Sequence, residues 1–249
     1  MSIYRGMRGS RQNRKTRRRS KKQHKSRKRV FPGRQRGGAD LGAIPRLVLQ
    51  TSKDPIPERV VNQLKQQLQG WEYLYFTDEA ILIFLQDNPS DQYPDIVNKF
   101  NSFTSGPHKA DLFRYYYMYM NGGLFIDSDL MLYDPLQSIV GDNSFVSVWA
   151  IKPPGSAFNG FLGATARHPI IESALNDLYT MSNDQLQADY SIVCAHMGGF
   201  IKDYTEGSVK MLKETVNTDA YCHIQDPDSG KISLIHYQNM EIPDQAIGL

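Results

Sequence analysis

Gly122-Gly123-Leu124-Phe125-Ile126-Asp127-Ser128-Asp129 is the stretch on which the fold turns. A glycine pair stops one element, an apolar tripeptide follows, and two carboxylates close it. Glycine suits the left-handed end of a helix, and Leu-Phe-Ile reads as a short buried strand. The spacing Asp-x-Asp carries little weight by itself. The chain has 19 Asp residues, so roughly one such pair is expected by chance. The chain holds its own control in Asp226-Pro227-Asp228, where Pro, Ser and Gly surroundings indicate a turn. Asp127 and Asp129 differ by following an apolar strand. In extended chain, residues i and i+2 face the same way, so both carboxylates are expected to converge on one cation. The carboxyl end of a strand is where open α/β sheets bind ligands. Hard oxygen ligands suit Mn²⁺ or Mg²⁺, with coordination positions left for phosphate oxygens.

Outward from this stretch, Pro107 to Asn121 reads as a helix ended by the glycine pair. It carries Asp111 and Arg114, three apart and on one face. Read alone, they form an ordinary surface ion pair. Tyr115-Tyr116-Tyr117 and Tyr119 read as core packing. Upstream, Ile44 to Leu49 reads as a strand, Pro57 to Leu68 as a helix, and Trp71 to Phe76 as a second strand. Thr77 caps the next helix. A further helix is expected over Asp91 to Phe103. Downstream, Phe145 to Ala150 and Asn159 to Ala164 read as strands, Pro169 to Met181 as a helix and Ile232 to Tyr237 as a late strand. The β-α-β-α order predicts an α/β fold with a mainly parallel sheet flanked by helices.

Charge divides the chain. Residues 1–39 hold 16 of the 29 Lys and Arg and no Asp or Glu, while the remaining 13 basic residues face 26 acidic ones. A block of like charge with few apolar residues cannot bury enough surface to fold alone. Residues 1–42 therefore read as a disordered basic arm and 43–249 as one globular domain. The arm suits an anionic partner, either nucleic acid or a membrane surface, or nuclear targeting. Neither a signal peptide nor an apolar run of about 20 residues is visible, which leads to the expectation of a soluble, cytoplasmic protein. Cys194 and Cys222 show no zinc or CxxC spacing.

Ala110-Asp111-Leu112-Phe113-Arg114, Tyr119 to Gly123, and Leu124 to Asp129 together resemble the signature of glycosyltransferase family 32, the DXD-motif sugar transferases. The family pattern runs Ala-Asp-x-x-Arg-Tyr, then Gly-Gly-x-Tyr-x-Asp-x-Asp, with Phe125 here in place of the second Tyr. Ile44-Pro45-Arg46 to Gln50 resembles the family's opening strand, with Leu49 in place of its His and no Trp after Gln50. Asn159 to Pro169 resembles the stretch that ends in His-Pro before a helix. The resemblance covers about Ile44 to Met181.

It implies a GT-A fold, a nucleotide-diphosphate sugar donor, an acceptor that is a glycan, lipid or protein, and transfer of a hexose with retention. It implies Asp129 as the direct metal ligand and Asp127 as a contact to metal or donor. Asp111 and Arg114 would hold sugar hydroxyls and phosphate, which replaces their reading as a surface pair. Leu49 and Gln50 would lie by the base, Asn159 by the donor sugar, and His236 would serve as a further metal ligand. Two other functions stay open at this point. One is a nucleic-acid-binding protein acting through its arm, with an inactive transferase-like domain. The other is a metal-dependent nuclease or phosphotransferase using the same carboxylates.

Overall fold

The computed structural model describes residues 42–217, 220–237, 242 and 243. The expected arm at 1–42 lies almost wholly outside the described residues. From Leu47 onward the chain alternates strands and helices. The first half runs β1 (Leu47–Thr51), α1 (Glu58–Gln67), β2 (Glu72–Phe76), α2 (Asp78–Asp87), α3 (Ile96–Ser102), α4 (Gly106–Asn121), β3 (Gly123–Ile126) and β4 (Leu130–Leu132). The second half runs α5 (Leu136–Val140), β5 (Phe145–Trp149), β6 (Phe161–Ala164), α6 (Pro169–Thr180), α7 (Asn183–Ala188), α8 (Ile192–Asp203), β7 (Val209–Asn217), β8 (Tyr221–Gln225) and β9 (Ile232–Tyr237).

One nine-stranded sheet results, ordered β2-β1-β3-β6-β5-β7-β8-β9-β4. The α/β expectation holds, but the sheet is mixed. β1 runs parallel to β2 and β3, and β5 parallel to β7, while the other five pairings are antiparallel. The physical reason is connection length. A parallel neighbour needs a long crossover, which helices supply early in the chain, whereas β7, β8 and β9 are separated by only a few residues each. Asp226-Pro227-Asp228 lies in the turn between β8 and β9, with Asp226 Oδ1 accepting from the backbone N–H groups of Asp228 (2.9 Å) and Ser229 (3.2 Å).

β3 sits third in the sheet and β4 ninth, although only Asp127-Ser128-Asp129 separates them in sequence. Three residues span roughly 10 Å at most, far less than six strand spacings of about 4.8 Å. The sheet therefore curls until its last strand returns beside its third. The turn is tied on both sides: Asp127 N–H donates to Gly160 O at 2.8 Å, and Tyr237 N–H donates to Asp129 O at 3.0 Å.

α4 lies across this sheet. Ten of its sixteen residues are buried, including Tyr115, Tyr116, Tyr117 and Tyr119, so it is a core helix rather than an amphipathic surface one. It ends at Gly122, whose φ is +68°; a Cβ there would stand 2.7 Å from the Ala166 backbone nitrogen. Only glycine meets both demands without strain. The expected helix over Asp91 to Phe103 is shorter, starting at Ile96, because the preceding residues form turns.

His168 explains the His-Pro before α6. Pro169 occupies the first turn, and the His168 ring, fully buried between Phe145 and Tyr204, caps the helix by accepting from Ile170 N–H at Nδ1. Burial pushes its pKa down to about 4. The folded pKa is thus below the unfolded value near 6.5, and the unfolded chain binds the proton first. Stability is complete above about 6.5 and falls as pH drops toward about 4, by roughly 3 kcal/mol from this group. His168→Asn keeps a capping acceptor without the titration. Urea unfolding at pH 7 and pH 4.5 should show the wild type losing more stability on acidification than the variant.

Candidate functional site

α4 and the end of β3 bring four of the expected side chains together. The Arg114 guanidinium lies 3.9 Å over the Phe125 ring and donates through Nη1 to the Asn159 carbonyl. Its Nε stands 3.5 Å from Asp111 Oδ1, and its Nη2 stands 3.6 Å from Asp127 Oδ1. Phe125, where the family has Tyr, therefore serves as the ring beneath the guanidinium, an interaction that needs no hydroxyl. Asp111 accepts from Asn159 Nδ2 at 3.1 Å. Asp111, Arg114 and Asn159 are all buried. Burial opposes the Arg114 charge, but Asp111 and Asp127 outweigh it and raise its pKa. Burial raises the pKa of Asp111 against the pull of Arg114 and His108.

The two carboxylates of the Asp-Ser-Asp stretch do not project from extended chain. Residues 127–130 form a turn, with Leu130 N–H donating to Asp127 O at 3.2 Å. Asp127 faces Arg114, and Asp129 faces His236, whose Nε2 stands 3.6 Å from Asp129 Oδ2. Burial, together with Asp129 and Asp111, lifts Asp127 to about 6 against the pull of Arg114 and His236. Asp129 Oδ1 is buried with no hydrogen-bond partner. An orphaned carboxylate oxygen beside a second carboxylate fits a hard divalent cation.

His236 occupies β9 opposite Leu130 and stacks on Phe158 with ring centroids 4.5 Å apart. Its Nδ1 stands 3.5 Å from Glu214 Oε1. Burial would lower its pKa, but the flanking carboxylates of Asp129 and Glu214 outweigh that and raise it to about 9. Glu214 is buried on β7, and its Oε2 accepts from Ile151 N–H at 2.8 Å. Sequence reading missed Glu214: it lies in Lys-Glu-Thr on a polar strand that shows no apolar run. Gly160 was missed as well. A Cβ there would stand 2.5 Å from Asp127 Oδ2 and 2.3 Å from the Phe158 ring, so glycine is what admits the Asp127 carboxylate.

These groups floor a cavity of about 510 Å³, walled by Ile151-Lys152-Pro153 on one side and Tyr190 with Cys194 on the other. Gln50 and Leu49 are not among its lining residues. Leu49 is fully buried in the core with Phe113 and Phe125, on the face of β1 opposite to Gln50. Gln50 accepts from Tyr73 OH at 2.9 Å and donates to the Asp127 carbonyl at 3.4 Å, so it braces the turn from behind. Among the described residues no helix is long and apolar enough to cross a membrane.

Residues 57–146 match the family described as "Glycosyltransferase sugar-binding region containing DXD motif". Inositol phosphoceramide mannosyltransferase 1 of Schizosaccharomyces pombe is 30% identical over 146 residues, 56% of this chain and 44% of that protein. A mannosyl phosphorylinositol ceramide synthase of Saccharomyces cerevisiae is 27% identical over 139 residues, 54% of this chain and 35% of that protein. An uncharacterized glycosyltransferase of Acanthamoeba polyphaga mimivirus is 22% identical, covering 56% of this chain and 55% of that one. The chain thus spans about half the length of these relatives, or less. Among solved structures, the PaToxG glycosyltransferase superposes with a TM-score of 0.43 and 13% identity, over 64% of this chain and 68% of that one.

The close approach at Gly160 gives a sharp test. Gly160→Ala should fold, because the clashing atoms are the ends of two side chains, yet it must displace the Asp127 carboxylate. An unchanged circular-dichroism spectrum with a fall of about 10²-fold in the rate of any reaction that uses the Asp127 carboxylate is the expected result.

Proposed function

We propose that this chain, a member of the DXD-motif glycosyltransferases and homologous to the inositol phosphoceramide mannosyltransferases, is a retaining hexosyltransferase that uses a nucleotide-diphosphate sugar and a divalent cation. The observation that carries the reading is the charge balance of the cavity floor. Asp111, Asp127, Asp129 and Glu214 pair there with Arg114 and His236, and His108 and Lys152 also line the cavity. The carboxylates outnumber the guanidinium and imidazole that pair with them, which leaves room for a dication, and Asp129 Oδ1 offers it a buried, unpartnered ligand atom.

In this reading Asp129 Oδ1 and Asp127 would hold Mn²⁺ or Mg²⁺, which when bound would supply Lewis-acid charge neutralisation for the departing diphosphate. Arg114, fixed by Phe125 and Asp111, supports the same phosphate oxygens and cannot swing away. Asp111 and Asn159 present acceptor and donor atoms to donor sugar hydroxyls. His236, expected as a further ligand of this ion, faces Asp129 instead, and we assign it to holding that carboxylate. The acceptor oxygen attacks the anomeric carbon from the leaving-group side. As that bond forms, the bond to the diphosphate oxygen breaks, and the acceptor proton passes to the departing diphosphate.

The names of the relatives favour mannose as the hexose and an inositol-type lipid head group as the first acceptor to test, ahead of glycan or protein. The basic arm at 1–42 would then meet an anionic membrane surface, with nucleic acid as its other partner class. The two cysteines form no disulfide, which suits a reducing, cytoplasmic compartment. The reading as a nucleic-acid-binding protein with an inactive domain is less favoured, since Asp111, Arg114, Asp127 and Asp129 are all retained and assembled.

Mass spectrometry of a nucleotide-sugar panel with Mn²⁺ tests the donor, with hydrolysis or transfer of nucleoside-diphosphate mannose expected. Asp129→Ala, or chelation of the metal, should lower the rate by about 10²–10³-fold. Full activity of Asp129→Ala would show that the cation is held elsewhere.

A further inference from the structure

Beside the carboxylate turn, three adjacent strands place a second set of ligand atoms. β7 carries Glu214, β8 carries Cys222 and β9 carries His236. Cys222 and His236 are directly paired across β8 and β9, and Glu214 is paired with Ile224, two residues on from Cys222. A side-chain period of two puts all three on one face of the sheet. The strand irregularity between Glu214 and Val216 lies next to this face, where such bulges re-aim side chains. One carboxylate oxygen, Cys222 Sγ and a ring nitrogen of His236 lie within 4.8 Å of one another. All three residues line the cavity.

We propose that Glu214, Cys222 and His236 form a binding site for zinc, separate from the cation held by the Asp-Ser-Asp turn. The donor set is one sulfur, one imidazole nitrogen and one carboxylate oxygen, a set that zinc takes and that Mg²⁺ or Mn²⁺ does not favour. Around a tetrahedral zinc, ligand atoms stand roughly 3.3–3.7 Å apart, from the bond lengths. His236 Nδ1 and Glu214 Oε1 already stand 3.5 Å apart. No two of the three ligand atoms are more than 4.8 Å apart, so the sulfur has roughly 1 Å at most to close to complete the set.

The surroundings meet the demands of such a site. Nδ1 of His236 is buried and completes no hydrogen bond. Glu214 keeps its other oxygen on Ile151 N–H, which fixes the carboxylate while leaving Oε1 to the ion. Nε2 of His236 faces Asp129 Oδ2, giving the carboxylate–histidine–metal order that orients metal-bound imidazoles. A fourth position opens to the cavity. Zinc here would pin β7, β8 and β9 together and fix the ring with its Nε2–H toward Asp129. Two carboxylates that flank one imidazole attract a dication more strongly than a proton.

Cobalt is the probe, since a cysteine thiolate bound to Co²⁺ gives a near-ultraviolet charge-transfer band that oxygen and nitrogen ligands do not. Titration of the full chain with Co²⁺ should produce that band at one equivalent, and Zn²⁺ should remove it. Cys222→Ser should abolish it, Cys194→Ser should keep it, and Glu214→Gln should weaken Co²⁺ binding at least tenfold. Asp127→Asn should keep the band while losing sugar transfer, so the two cation sites fail or stand separately. Absence of the band in the wild type would overturn the proposal. A band that survives in Cys222→Ser and disappears in Cys194→Ser would also overturn it. Circular dichroism of each variant checks its fold, and Cys194→Ser, which removes no proposed ligand, tests the site even where Cys222→Ser does not fold.

Discussion

The three-residue turn Asp127-Ser128-Asp129 is the constraint on which the rest of the structure depends. It joins the third strand of the sheet to the ninth, and a nine-stranded sheet can satisfy so short a link only by curling back on itself. Backbone hydrogen bonds to Gly160 and from Tyr237 hold the turn on both sides. Closure brings β9, late in the chain, beside β4 and the turn that follows β3. His236 therefore meets Asp129 across more than a hundred residues of sequence. The same closure places both carboxylates among the residues that line the cavity.

Burial of charge follows from that geometry and is costly unless matched. Arg114 is enclosed by α4, β3 and the Asn159 loop, and it survives there because Asp111 and Asp127 stand on two sides and Phe125 lies beneath it. A buried pair with one partner removed leaves an uncompensated charge, which costs about 3–5 kcal/mol. The cluster thus couples fold to chemistry: the residues that would bind a donor also hold α4 against the end of β3. Excess negative charge is what remains after the pairing. It is the feature of the cavity floor on which the proposed cation rests.

Much of this was legible early. The glycine pair, the apolar tripeptide and the acids after it located the end of β3, because helix stops and buried strands are short-range features. Asp111 and Arg114 could be placed on one helical face from their spacing. Their burial could not, since a pair three apart looks the same on a solvated helix as on a core one. Glu214 left no trace, because a single acid on a polar strand is ordinary until a histidine from another strand stands 3.5 Å away. Leu49 illustrates the opposite case. Its place in the opening strand of the resemblance implied a position by the nucleotide base, but neighbours on a strand face opposite sides, and its side chain lies in the core.

By itself the sequence determined most of the local elements, the separation of charge into a basic first stretch and an acidic remainder, and the motif by which the chain resembles the DXD-motif sugar transferases. Those depend on neighbours within a few turns of chain or on composition. Only the tertiary structure decided that the sheet is mixed and curled, that the two aspartates lie in a turn, and that Glu214, Cys222 and His236 share a face. Strand order and closure depend on contacts between distant residues, and no periodicity along the chain encodes which distant strand returns to close the sheet.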